Sequence, residues 1–184
     1  MEIPSVFNTS NEKKQLELKR LFAVYNHPLQ FTDIPILEID APPLQVILHK
    51  ISVVGLSILV EDTSLHVEGY DVGVNVKHMT EKIENGEWLG KKAVWQVLIG
   101  CANQAGMSYV FEGVTEGVLT HKAGDFVFGF AQYFKPVGQS QTMGQKRDDA
   151  FNARARAVAA LFKNKPLFRG PTEHDFSKYR FQKF

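Results

Sequence analysis

An α+β fold is predicted, with an antiparallel sheet, a β-β-β-α core packed by an alanine-rich helix, and an N-terminal helix. Three observations predict it. Residues 34–79 are rich in Val, Ile and Leu punctuated by Gly, Asp and Pro, the composition of short strands. Three other stretches carry apolar residues at helical spacing. Between the second and third of these, Phe126, Phe128 and Phe130 alternate with Val127, Gly129 and Ala131, which creates two faces at a period of two.

Thr9 to Glu12 fits a capping box, opening a helix that sets Leu16, Leu18, Leu21 and Phe22 mostly on one side before Asn26, His27 and Pro28 stop it. ILEID, LQVILHKI, LSILVED, SLHVEG and VGVNVKHM then read as successive short strands of a meandering sheet. A short helix is expected around Thr80 to Glu84. In GKKAVWQVLIGCANQAG, residues Val94, Val97, Leu98, Cys101 and Ala105 fall at helical spacing, with Gly106 as C-cap, so a second helix is expected there. YVFEGVTEGVL and the phenylalanine run are strands joined through LTHKAGDF, where Gly124 is free to take positive φ. KPVGQSQTMGQ is loop-like with room for a short edge strand, and DAFNARARAVAALF forms the third long helix.

These elements suit a single domain over 1–184: an N-terminal helical arm 1–28, a strand-rich segment 34–85, a core 86–168, and a basic, aromatic tail 169–184. Apolar residues make up 44% and charged residues 22%, and no apolar run approaches the roughly 18 to 20 residues that span a bilayer. The opening MEIPSVFNTSNEKK shows no basic region followed by an apolar stretch and a cleavage site, so a cytoplasmic setting is expected. The lone Cys101 is expected to pack as a small hydrophobe.

The net charge of +1 conceals an asymmetry: residues 1–134 carry ten Lys and Arg against sixteen Asp and Glu, whereas residues 135–184 carry eleven against four. Such a division suits a basic surface for a polyanion or a head-to-tail contact between copies. The alanine-rich helix sharpens that choice. At about 100° per residue, Ala150, Ala153, Ala157 and Ala160 form one small face, while Phe151, Ala155, Val158 and Phe162 form a second apolar face. Asn152, Arg156 and Lys163 remain as a wet basic stripe. Arg154 projects between the apolar arcs, near Leu161, where it must snorkel, find a carboxylate, or meet another molecule.

The order of a helix, a hairpin with T-H-x-x-G-D at its turn, a proline-containing loop with a glycine, and a helix reading A-R-x-x-A-V-x-A-L-F resembles the Erf type of phage single-strand annealing protein. That family is in turn similar in its core to the eukaryotic strand-annealing recombinases. The resemblance covers Val94 to Phe162 and rests on His121, Gly124, Asp125, Gly144, Ala153, Arg154, Ala157, Ala160, Leu161 and Phe162. It departs at Asn152, Ala155, Arg156 and Lys163. The resemblance implies a homo-oligomer that binds single-stranded DNA and anneals strands without catalysis. The cations that would track the phosphates are Lys91, Lys92, Lys146, Arg147, Arg154, Arg156, Lys163, Lys165 and Arg169, with Tyr133 and Phe134 as candidates for base stacking. Removing Arg154 and Arg156 together is expected to abolish strand binding and spare the fold.

Two alternatives use the same elements. A double-stranded-RNA-binding domain would employ His121 as its loop residue. An oligomeric structural or inhibitory protein would direct the charge asymmetry to subunit contacts. Enzyme signals are weak: the six histidines, His27, His49, His66, His78, His121 and His174, show no metal-binding spacing, and no phosphate-cradling or nucleophile-elbow motif occurs. Glu38 and Asp40 followed by His49 and Lys50 resemble a nuclease-like carboxylate and lysine set, but strands often end in such charges. No catalytic group, cofactor or metal is therefore expected.

Overall fold

The computed structural model describes residues 1–70, 79–126 and 128–181. The described elements, in chain order, are β1 (Val6–Asn8), α1 (Glu12–Ala23), β2 (Gln30–Thr32), β3 (Ile39–Asp40), α2 (Pro43–Val54), β4 (Val60–Val67), α3 (Met79–Glu84), β5 (Lys92–Ala102), β6 (Met107–Leu119), β7 (Phe134–Pro136), α4 (Ala153–Phe162), β8 (Phe168–Pro171) and β9 (Arg180–Phe181). The main sheet has the order β4-β5-β6-β7, and β8 pairs antiparallel with β6. Two small ribbons accompany it, β1 parallel to β2 and β3 antiparallel to β9. The predicted α+β class with a mostly antiparallel sheet is the class observed.

The chain divides into two compact units. The first comprises Met1–Asp62, Leu98–Glu112 and Ala157–Phe184; the second comprises Thr63–Val97 and Gly113–Arg156.

In the first unit, α1 begins two residues later than the capping-box pattern suggests. Asn11 is the N-cap, its side-chain oxygen accepting from the Lys14 amide at 3.1 Å, and Leu18, Leu21 and Phe22 are buried. The segment LQVILHKI, expected as a strand, is the middle of α2. Pro43 sits at the first turn, where its missing N–H costs nothing, and Gly55 ends the helix at φ 88°. The helix has twelve residues counting Pro43, and its Ile47, Leu48, Ile51 and Val54 form a core with Val60, Leu98, Ala102 and Val110. The close approach is possible because residue 100 is glycine: a Cβ there would stand 2.6 Å from Ile51 Cδ1. Phe162 packs into an aromatic group at the end of α1, stacked on Tyr25 with centroids 4.0 Å apart and edge-on to Phe22 at 5.3 Å.

The expected second helix is strand β5. Its residues from Val97 to Ala102 are buried without interruption, so no alternation marks a wet face, and the spacing of Val94, Val97, Leu98 and Cys101 mimicked a helix. Gly106, expected as a C-cap, lies at φ 71° in the turn between β5 and β6. LSILVED and SLHVEG, expected as two strands, join in β4, whereas VGVNVKHM spans residues 72–79, of which 72–78 lie outside the described residues. Cys101 is buried, and burial raises its thiol to about 12, the behaviour of a packing residue.

In the second unit, Trp95, Phe130 and Phe134 pack edge to face, with Trp95 5.6 Å from Phe130 and Phe130 5.7 Å from Phe134. The described residues of the phenylalanine run form bends and turns rather than the expected strand, and pairing with β6 falls to β7. The reason is a backbone crossing. Gly124, at φ 92°, lies so close to Gly144 that an added Cβ would overlap the Gly144 main chain, and the Phe126 amide donates to the Gly144 carbonyl at 3.1 Å. Thr142 Oγ1 donates to the Ala123 carbonyl at 2.8 Å, and the Gln132 amide to the Gly124 carbonyl. These bonds satisfy backbone groups that a strand pairing would otherwise use.

Candidate active site

The side chains that suggest chemistry lie in the first unit. Lys50, on α2, directs its ammonium at Asp62 Oδ1 (2.8 Å), Glu38 Oε1 (3.3 Å) and the Glu61 carbonyl (3.5 Å). Three acceptors thus surround a group with three donors. Local structure accounts for the placement: Asp62 lies on β4, Glu38 immediately precedes β3, and Lys50 is two turns into α2. The side chains of Lys50 and Asp62 are 11% and 6% exposed, while Glu38 remains 41% exposed. Burial pulls the Lys50 pKa down, but attraction and hydrogen bonds from Asp62 and Glu38 outweigh it and hold the ammonium above its ordinary value. Asp62 Oδ2 is buried and meets no hydrogen-bond partner among the described residues. A carboxylate oxygen left in that state is costly unless something else comes to it.

Neighbouring residues hold this group in place. Glu61 is buried and accepts from Lys14 of α1 at 3.2 Å. His49 Nε2 lies 2.9 Å from the Leu37 carbonyl, and because a carbonyl only accepts, that nitrogen carries the proton. Glu38, His49 and Lys50 were all visible as a carboxylate and lysine set in the sequence. What was missed is Asp62, separated from Lys50 by twelve positions and brought to it only by the packing of α2 on β4. Asp40, the other member of that set, is exposed and pairs through its backbone with Arg180. A signal was present: adjacent acids, Glu61 and Asp62, directly after the apolar run Ile58–Val60 are costly to bury unless matched.

The nine cations expected to bind DNA fall in both units. Lys163, Lys165 and Arg169 belong to the first unit, and the other six to the second. Lys163 and Lys165 are exposed at the end of α4, and Arg169, on β8, lies over Tyr109 at 5.5 Å. In the second unit Lys92 is exposed at the start of β5 and Lys91 lies over the Tyr70 ring at 5.2 Å. Lys146 reaches Asp148 at 4.0 Å, and the Arg147 guanidinium sits over Phe126 at 4.6 Å. Arg156 is exposed yet donates to the carbonyls of Val114 (2.5 Å) and Ala150 (3.0 Å). Arg154 is 1% exposed, its guanidinium 4.9 Å from the Phe128 centroid and donating to Thr63 Oγ1 at 3.3 Å. It is an interior side chain, a position from which removal of the guanidinium is expected to act on the fold rather than spare it. Tyr133 and Phe134, expected as stacking platforms, are 4% and 0% exposed and belong to the core.

Solved structures share this architecture. The Ham1 protein of Staphylococcus aureus superposes with a TM-score of 0.61 at 17% identity, covering 87% of this chain and 99% of that one. A HAM1 protein from Coxiella burnetii gives 0.65 at 18% identity over 86% and 96% of the two chains. A third, titled a nucleoside-triphosphatase / dITP/XTP pyrophosphatase from Mycobacterium abscessus, gives 0.52 at 22% identity over 85% and 96%. The model of the Ham1 family matches residues 5–164. These findings overturn the resemblance to phage annealing proteins and, with it, DNA recombination, a single-stranded DNA partner and the absence of enzyme activity. Neither the RNA-binding nor the inhibitory alternative gains support. The features that suggested annealing have local causes instead: two crossing glycines and an arginine that is buried inside its own unit. With most of its length matched, from β1 through α4, the chain belongs to the Ham1 family.

Proposed function

We propose that this protein is a nucleoside triphosphate pyrophosphatase, hydrolysing a nucleotide to its monophosphate and pyrophosphate. Family membership and the activity in the name of the Mycobacterium abscessus neighbour support the reaction class. The observation in this chain that carries it is the Glu38–Lys50–Asp62 group, in which Lys50 meets both carboxylates and a buried Asp62 oxygen has no hydrogen-bond partner among the described residues. In this reaction the water oxygen bonds to the α-phosphorus as the α–β bridging bond breaks. Pyrophosphate leaves, and the proton lost by water passes to a carboxylate of this pair.

The residues present suit a divalent cation travelling with the nucleotide. Among the described residues no group of three or more His, Cys, Asp and Glu side chains could hold a metal ion by itself. Mg²⁺ is commonly held by one or two carboxylates together with substrate phosphates, which matches the carboxylates of Glu38 and Asp62. Bound there, it would neutralise phosphate charge and help generate the attacking hydroxide. Lys50 supplies a fixed positive charge for the phosphates and keeps the two carboxylates apart in orientation. Among the described residues no helix is long and apolar enough to cross a membrane, and a cytoplasmic setting, where nucleoside triphosphates are abundant, accords with the reading.

The test is a panel of dITP, XTP, GTP and ATP incubated with protein and Mg²⁺, with monophosphate and pyrophosphate quantified by chromatography. Equimolar monophosphate and pyrophosphate from at least one nucleotide is expected. Release of orthophosphate with the diphosphate, or no turnover of any member, overturns the proposal.

A further inference from the structure

The family match ends at residue 164, yet the chain continues through ordered structure that returns to the site. After α4, β8 joins the edge of β6 in the register Val110↔Phe168 to Met107↔Pro171. Thr172 then anchors the turn, its hydroxyl donating to the Gly106 carbonyl at 3.0 Å and accepting from Ser108 Oγ at 3.0 Å. Phe168 and Phe176 pack against the core built on α2. Finally β9 pairs antiparallel with β3, placing Phe181 opposite Ile39 and Arg180 opposite Asp40.

Glu38 stands between two points that this segment controls. On one side, the Leu37 carbonyl is held by His49, whose ring packs edge-on against Phe176 at 5.1 Å and tilted against Phe181 at 6.2 Å. On the other side, Ile39 and Asp40 are the residues paired with β9. A two-residue strand has little stability alone, because ordering each residue costs about 1–2 kcal/mol of conformational entropy. Its partner strand and the histidine tether are what hold the carboxylate in one position, and both depend on residues 173–181.

We propose that the C-terminal segment 173–181 is a positioning clip: it fixes the backbone on both sides of Glu38 and thereby sets the geometry of the Glu38–Lys50–Asp62 group for the cation and phosphates. The identity of that cargo rests on the reading above; the mechanical role does not. Phe176 and the β9 pairing act through Glu38 and touch no substrate.

The test compares the full chain with a chain ending at Thr172, with Phe176→Ala and Phe176→Leu, and with Arg180→Pro, which removes a β9 amide without disturbing the apolar core. Hydrogen exchange of peptides spanning residues 37–41 should accelerate about tenfold or more in the truncated chain, in Phe176→Ala and in Arg180→Pro, since opening of a locally held strand governs its exchange. Phe176→Leu should retain protection. In turnover assays the Mg²⁺ concentration for half-maximal rate should rise about tenfold, as for loss of groups that orient metal ligands, while KM for nucleotide at saturating Mg²⁺ stays within about twofold. Unchanged exchange at 37–41 in Arg180→Pro and Phe176→Ala overturns the clip. Equal loss of protection throughout the chain overturns it too, since that is what a merely structural role predicts. Accelerated exchange confined to 37–41 in a protein that turns over no nucleoside triphosphate supports the clip and refutes the pyrophosphatase reading.

Discussion

Lys50 Nζ lies 2.8 Å from Asp62 Oδ1, and this one contact ties helix α2 to strand β4 at the point where two adjacent acids are buried. Removing the cation leaves a buried carboxylate with neither of its oxygens matched. Lys50→Met is therefore expected to destabilise the protein by about 3 kcal/mol, near the lower end for breaking a buried pair because Glu38 stays partly wet. Lys50→Met combined with Asp62→Leu should recover part of that loss in urea denaturation. A double variant no more stable than the single one would contradict the pairing.

The same residues should govern turnover. Asp62→Asn and Glu38→Gln keep size and remove charge, so pyrophosphate release is expected to fall by about two to three orders of magnitude, a loss of roughly 3–4 kcal/mol of transition-state stabilisation. His66→Gln, which alters an exposed residue in the other unit bonded to Gln96 at 3.2 Å, should change the rate by less than about twofold. A carboxylate variant with near-normal kcat/KM would relocate the chemistry.

Arg154 is expected to matter for stability. Its guanidinium is buried, stacked on Phe128 and bonded to Thr63. Arg154→Ala should cost about 2–4 kcal/mol, and Arg154→Lys should recover little, since an ammonium reproduces neither the planar stacking nor the fork of donors. Thr63→Val should cost about 1 kcal/mol. Denaturation midpoints check all three.

Tyr133 provides a pH signature. Its hydroxyl donates to the Glu84 carboxylate; that bond, together with burial and the nearby negative charge, raises its pKa from 10.0 to about 12. The folded protein holds this proton more tightly than the unfolded chain does. The associated stability is therefore fully present below pH 10.0 and is lost as pH rises towards about 12. Ultraviolet titration of phenolate should show one late-ionising tyrosine of the five, absent in Tyr133→Phe and shifted to lower pH in Glu84→Gln.

Gly124→Ala should be among the most damaging single-methyl changes. The position combines φ 92° with main chain of Gly144 where a Cβ would sit, and backbone cannot rotate away as a side-chain tip can. A loss above about 3 kcal/mol is expected, at the top of the usual range for point substitutions, measured by thermal and urea unfolding.

Several features were legible from the chain alone. The α+β class, the N-terminal helix, α3, α4 and a buried Cys101 followed from local spacing, composition and breakers, because these depend on residues close together in sequence. Two elements were exchanged. LQVILHKI reads as strand although Pro43 and Gly55 bracket the helical length of α2, and GKKAVWQVLIGCANQAG, which holds β5, reads as helix because a strand buried on both faces shows no alternation. Periodicity reports a boundary between wet and dry faces; where both faces are dry it carries no such information.

The site lay beyond local reading for a related reason. Glu38, His49 and Lys50 could be grouped on paper, yet only the docking of α2 on β4 delivers Asp62 to the lysine, and only β9 returns to hold β3 beside Glu38. In the same way the positive C-terminal charge was real in the sequence, but tertiary contacts sank Arg154 into its unit. Net charge and helix type are sums over neighbours in the chain and need no fold to evaluate. Which charges meet, and which are buried, depends on distances between residues remote in sequence, and those are decided by core packing.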